Sequence, residues 1–266
     1  MRLPEERYDP AMLGLLRRWR RQRILTAKTI DDALWDEVVG SLPALAALDP
    51  DALRRLRALA LLFLNEKSLH GVQGLELDDA KRLRIAVLAC RPILELGLDC
   101  YDGFVSIVVH PDEFVARDRE HVDDDGIVHT GDEIMSGESW DEGPIVLAWQ
   151  EVLASGQGDG FDVVAHEFAH KLDLLDGAIN GMPALHRSMS ARRWAAAFQD
   201  AYDDLVASEE RGEDVWLDPY AAESPGEFFA VCSEMFFDVP CGFRRRYPDL
   251  YEELAAYYRQ NPAAAS

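Results

Sequence analysis

Apolar residues recur along this chain at two periods, and the places where the period changes divide it into parts. Residues 1–25 read as an N-terminal arm and first helix. Thr29 and Asp32 then stand as a capping box, opening a short helix through Trp35 and Val39 that Gly40 ends. Asp49-Pro50 supplies an N-cap with proline at the first helical position, and Leu53, Leu56, Leu59, Ala60 and Phe63 form the stripe of a helix running to Ser68. Asp78 caps another helix, in which Leu83, Ala86, Val87 and Cys90 keep helical spacing until Pro92 and Gly97. The N-terminal part is therefore expected to be mainly helical.

Beyond it the pattern turns to β-branched runs. Phe104-Val105-Ser106-Ile107-Val108-Val109, ended by Pro111, reads as a buried strand, and Gly126 to His129 and Pro144 to Trp149 read as two more. Between them, Asp123-Asp124-Asp125-Gly126 lacks the alternating ligands and closing glutamate of a calcium loop, and reads as a solvated acidic turn. Helical spacing returns at Val163, Val164, Phe168, Leu172 and Leu174, after a candidate N-cap at Asp162 and before a stop at Gly177. A further helix runs from about Ser190 to Ala207, and Ser224-Pro225-Gly226-Glu227 has the form of another helix start. The expected class is α+β, with a small sheet packed on the helix that starts after Asp162. No linker or repeat divides the chain, so residues 26–262 are expected to form a single domain and 263–266 a frayed tail.

Charge and composition narrow the function. A formal net charge of −22 repels phosphate backbones, so no direct nucleic-acid partner is expected. Five arginines, Arg17, Arg18, Arg20, Arg21 and Arg23, surround Trp19 against that trend; they read first as a solvated helix face and second as a docking patch for an acidic partner. The longest apolar run, Ala58 to Leu64, falls far short of a membrane span. The four cysteines have no C-x-x-C spacing and the start lacks the apolar stretch of a signal peptide, so a reducing, cytoplasmic location is expected.

The chemistry lies in His166-Glu167-Phe168-Ala169-His170. Residues four apart share a helix face, so His166 and His170 can present ring nitrogens to one ion, and Glu167, offset on the same turn, suits a general base. Catalytic zinc takes three protein ligands and leaves one position open, so one donor is missing. The extended form H-E-x-x-H-x-x-G-x-x-H is absent, because both 173 and 176 are Asp. A glutamate from a separate helix is the alternative, and Glu227 and Glu234, seven apart on one face, are the candidates. Glu227 could instead close a capping box with Ser224, and spacing alone leaves that choice open.

Several stretches together resemble the Mlc titration factor A (MtfA) family of bacterial HExxH zinc peptidases: Leu88 to Leu98, Gly137-Glu138-Ser139-Trp140 with Gly143 to Leu147, His166 to Asp173, Tyr220-Ala221-Ala222, and Glu227 to Phe237. The resemblance spans roughly residues 45–262, with departures at Cys100-Tyr101 and His110-Pro111. It implies a cytoplasmic peptidase with a zincin (gluzincin-like) core similar to that of anthrax lethal factor, aminopeptidase-like action on peptides, and binding of an Mlc-type transcriptional repressor. It implies zinc held by His166, His170 and Glu227, Glu167 as base, and Tyr220 as a hydrogen-bond donor to the oxyanion. Glu234 and Asp173 are expected to support the ligands without touching the metal. The rival reading is a non-enzymatic protein with a structural zinc site that sequesters a regulator. Such a site tends to be closed by four ligands, commonly including Cys, and no cysteine here has motif spacing with the histidines.

Overall fold

The computed structural model describes residues 10–111, 121–122, 128–129, 143–213 and 215–264. In chain order the elements are α1 (Pro10–Ala27), α2 (Asp32–Gly40), α3 (Pro50–Glu66), β1 (Ser68–Gly71), α4 (Asp79–Cys90), β2 (Ser106–His110), β3 (His121–Val122), β4 (Val128–His129) and β5 (Ile145–Ala148). They continue with α5 (Trp149–Ala154), α6 (Val163–Asp173), α7 (Ala191–Glu210), α8 (Pro225–Asp238), α9 (Pro240–Arg246) and α10 (Pro248–Tyr258). The architecture is α+β and mostly helical, with one small sheet of three parallel strands in the order β1-β2-β5. A separate antiparallel pair, β3 with β4, holds the described part of the expected second strand. The acidic turn at 123–126 and the stretch 137–140 lie outside the described residues.

The helix starts follow from their caps. Asp49, Asp78, Asp162, Ser190 and Ser224 each accept a hydrogen bond from the amide three residues on, satisfying a donor that the first helical turn leaves free. At α2 the cap is Asp31, whose carboxylate accepts from the Leu34 amide at 3.0 Å, and not Thr29. The helix expected to run to Ser68 stops at Glu66. Lys67 turns its ammonium onto the carbonyls of Tyr101 and Phe104, and the Ser68 amide pairs with Val105 at 2.9 Å, which starts β1 instead. In β2, buried Ile107 and Val109 alternate with less buried neighbours, so one face of the sheet meets the core.

The arginine-rich helix is partly tied down. Arg21 grips Glu66 with two nitrogens, at 2.9 and 3.0 Å, and Asp99 with a third, while Arg17 pairs with Asp102. Arg18 and Arg20 are exposed, and the Arg23 guanidinium stacks over Trp19 at 4.8 Å. At the other end, residues 263 and 264, expected in the tail, belong to a 3-10 turn whose Ala263 amide donates to the Tyr251 hydroxyl.

Two packing features fix α6. Its inner face is anchored by Phe168, whose ring meets Phe63, Tyr101 and Phe104 at centroid distances of 5.8, 4.9 and 5.7 Å. Its other neighbour is α8, in which every residue from Phe228 to Asp238 is buried, as expected of a helix that is apolar nearly all round and runs through the core. The loop entering α6 is stapled to α8 as well. Asp238 accepts the amides of Gly158 and Gly160 at 3.0 and 2.6 Å, and a Cβ on Gly160 would lie 2.7 Å from the Met235 sulfur.

Candidate metal centre

α6 and α8 together assemble the site. The i, i+4 spacing brings the Nε2 atoms of His166 and His170 to 3.2 Å from each other. The Glu227 Oε2, from the first turn of α8, lies 3.0 Å from His166 Nε2 and 3.3 Å from His170 Nε2. Bonds of about 2.0–2.1 Å to a tetrahedral ion place its ligand atoms roughly 3.3 Å apart, so these three atoms have the dimensions of one face of such a site. Three side chains that are all good zinc donors turn toward one point, and the residues present fit the metal.

The two glutamates are told apart by which ring nitrogen each meets. Glu234 Oε1 is 2.8 Å from His166 Nδ1, on the far side of the ring from Glu227. Its Oε2 accepts the Asp162 amide at 2.6 Å, so one carboxylate joins the start of α6 to its first histidine. With Nδ1 donating to Glu234, the Nε2 lone pair is the one aimed into the site. Glu227 does not close a capping box: its carboxylate is with the histidines, and only its amide takes part in the cap, donating to Ser224 Oγ at 3.2 Å.

The electrostatics follow from this packing without metal. Burial pushes the His166 ring down, but its bonds to Glu227 and Glu234 outweigh that and lift it to about 10. Burial pushes Glu227 up, and the two imidazoles overcome this and hold its carboxyl well below the usual range. For Glu234 burial wins over the bond from His166, and its carboxyl is raised.

Tyr220 sits on a 3-10 turn, Pro219–Ala222, which Asp218 caps and the Tyr202 hydroxyl holds by donating to the Ala222 carbonyl at 2.8 Å. Its ring is 6.2 Å from that of His166. Burial, and then the charges of Glu227, Glu223 and Glu167, push its hydroxyl up to about 12, so it keeps its proton. Glu167 is half-buried on the same turn of α6 as His166.

Asp173 is buried and its hydrogen bond is not to a histidine, although the charge of His170 acts on it. Its Oδ2 accepts the Gly181 amide at 2.7 Å, while Asp173 Oδ1 and His170 Nδ1 are buried polar atoms without a partner. Its carboxyl is raised to about 6 by burial, against the amides that bond it. Asp173 therefore anchors the loop after α6. Sequence reasoning missed Asp238 and the Asp162 amide, which fix the approach to α6; the glycines at 156, 158 and 160 were the available signal.

The family model of glucose-regulated metallo-peptidase M90 matches residues 16–259. The chain belongs to this metallo-peptidase family. Among similar proteins, Mlc titration factor A of Salmonella arizonae is 40% identical over 250 residues, covering 92% of this chain and 96% of the relative. The protein of that name from Pectobacterium atrosepticum is 42% identical over 234 residues, covering 86% and 87%. That from Enterobacter sp. (strain 638) is 40% identical over 242 residues, covering 88% and 89%. Among the described residues no helix is long and apolar enough to cross a membrane.

Proposed function

We propose that this protein is a zinc-dependent metallopeptidase with a gluzincin-like zincin core, in which His166, His170 and Glu227 hold the ion. The convergence of two imidazole nitrogens and one carboxylate oxygen within 3.3 Å of one another carries the reading. Zinc bound there supplies Lewis acidity, lowering the pKa of water toward neutrality and polarising a peptide carbonyl. Glu167 takes the proton of the attacking water and returns it to the departing amine. The protonated Tyr220 hydroxyl donates to the oxygen that gains charge. Glu234 keeps the His166 ring in the tautomer that ligates, and the raised Glu234 carboxyl reflects the cost of burying that support.

Peptides are the substrate class that the family supports. Among the described residues β5 has a strand on one side only, so its outer edge suits main-chain pairing with an extended peptide and asks little of side chains. Aminopeptidase-like action and binding of an Mlc-type repressor extend this reading; the relatives' name, Mlc titration factor A, supports the second. Four unpaired cysteines suit the reducing cytoplasm. The rival, a structural zinc site in a sequestering protein, would call for a fourth protein ligand, and among the described residues the candidate group has three.

The test is Glu167→Gln in zinc-loaded protein. Zinc content should stay at one ion per chain while peptide hydrolysis falls by at least about 100-fold, the contribution of a positioned base. Full turnover by the Gln variant would end the proposed mechanism.

A further inference from the structure

The loop that follows α6 carries a large apolar side chain which the fold holds in the open, beside the third ligand. Ile179 is 48% exposed. An exposed isoleucine on a wandering loop would mean little, but this loop is clamped at several points. The Gly181 amide donates to Asp173 at 2.7 Å and the Trp194 indole donates to the Gly181 carbonyl at 3.0 Å. Gly181, at φ +76, packs its backbone so closely on α8 that a Cβ there would lie 2.5 Å from the Pro225 carbonyl oxygen. The Met182 amide closes a turn onto the Asn180 side chain at 2.9 Å.

The clamp sets Ile179 against Gly226, the residue before Glu227. A Cβ on Gly226 would meet the Ile179 Cγ2 at 2.6 Å, so the first turn of α8 makes room for this side chain by having none of its own. Ile179 therefore lies against the residue that directly precedes Glu227, and a peptide held at the His166, His170 and Glu227 atoms that runs across the first turn of α8 would meet the Ile179 methyls. The amide and carbonyl of Gly181 are bonded by Asp173 and Trp194, two residues beyond Ile179, which offers outward an apolar, β-branched side chain.

Resting on the metallopeptidase reading, we infer that Ile179 is a specificity-determining residue: it forms an apolar wall that receives an apolar side chain adjoining the scissile bond. It touches substrate and takes no part in the proton transfers. The loop's attachment by Asp173 and Trp194 makes the wall rigid, which favours discrimination by size over accommodation.

Zinc-loaded wild type, Ile179→Ala and Ile179→Asp should be compared on matched peptides in which the two residues flanking one bond are varied among Gly, Ala, Leu and Phe. The wild type should prefer Leu or Phe to Gly at one flanking position. In Ile179→Ala that preference in kcat/KM should fall by about 10- to 100-fold, and in Ile179→Asp it should vanish, with one zinc ion per chain retained at saturating metal. Binding of the same peptides in the Glu167→Gln background should weaken in parallel when Ile179 is replaced, a readout independent of turnover. Cleavage with the same Leu to Gly ratio in all three proteins would overturn the inference alone. A zinc-loaded wild type that cleaves none of the set would overturn the peptidase reading and the inference with it.

Discussion

Replacing Glu234 by Gln keeps the volume of a buried side chain and changes only what it can accept. Glu234 receives two donors, the His166 Nδ1–H at 2.8 Å and the Asp162 amide at 2.6 Å. A glutamine offers one carbonyl oxygen to the pair, so one of the two donors must face an NH2 group. A buried donor left without an acceptor costs about 1–3 kcal/mol. The backbone amide of Asp162 cannot move without disturbing the start of α6, whereas the ring of His166 can change its tautomer. The oxygen should therefore go to Asp162, and the proton of His166 should shift to Nε2, the atom needed for zinc. Zinc affinity should fall about 10- to 100-fold, or roughly 1.4–2.7 kcal/mol.

The metal-free fold should respond differently. Burial raises the Glu234 carboxyl, which means its ionised form is costly there, and a neutral amide removes that cost. Melting temperature without zinc should then change by only a few degrees in Glu234→Gln. Glu234→Ala leaves both donors bare, at about 2–6 kcal/mol together, or a drop of roughly 4–20 °C for a chain of this size. Competition with a chromophoric chelator gives the affinity, and thermal melts with and without zinc give the stability. Zinc bound by Glu234→Gln at wild-type strength would refute the orienting role.

Three further outcomes follow from the same geometry. Glu227→Ala should lower zinc affinity by about 100-fold or more, and it should also lower the melting temperature of metal-free protein at neutral pH, because the contacts with His166 and His170 that hold this carboxyl low are lost although the amide that Ser224 caps is kept; zinc retained through dialysis would remove Glu227 from the ligand set. Tyr220→Phe should lower kcat by about 10- to 1,000-fold, or roughly 1.4–4 kcal/mol, with zinc content intact; an unchanged kcat would leave the ring only a packing role against His166. Asp173 is raised to about 6, so its contribution is fully present below pH ~4 and is lost as pH rises through 6. Asp173→Asn, which cannot ionise, should gain up to about 3 kcal/mol over wild type at pH 8 and little at pH 4, and a stability difference that ignores pH would contradict this.

How much of this could be read in the sequence depended on whether a local rule governed the feature. The motif helix was legible because its cap and its i, i+4 face are set within eleven residues, and Asp162, His166 and His170 are placed as that rule requires. The choice between Glu227 and Glu234 was not, since they share a face and both meet the same histidine; only the crossing of α8 over α6 gives them different nitrogens. β1 escaped notice because four residues with one buried side chain, Leu69, carry no alternation. α9 and α10 begin at Pro240 and Pro248 after Val239 and Tyr247, which make no side-chain cap, so their starts lack the polar signal that marked the others. Asp173 was expected beside the ligands. Its partner is the Gly181 amide, eight residues on across a loop whose path spacing cannot give.

α8 explains why the site is so dependent on core packing. Glu227, Glu234 and Asp238 stand at intervals of seven and four on this helix, which keeps them on one face. Each meets a different part of α6 or its approach: Glu227 the two Nε2 atoms, Glu234 the His166 Nδ1 and the Asp162 amide, Asp238 the amides of Gly158 and Gly160. The register between the two helices is thus fixed at three heights by carboxylates. Burial raises two of them, Glu234 and Asp238, so holding them there is unfavourable by itself. The compensation lies in the other faces of α8, where Phe228, Phe229, Phe236 and Phe237 are almost wholly buried. A cavity made at one of these phenylalanines, none of which bonds a histidine, would release the helix that aligns all three carboxylates. Zinc affinity should then fall along with stability, as it should for a site built on the contact between two core helices.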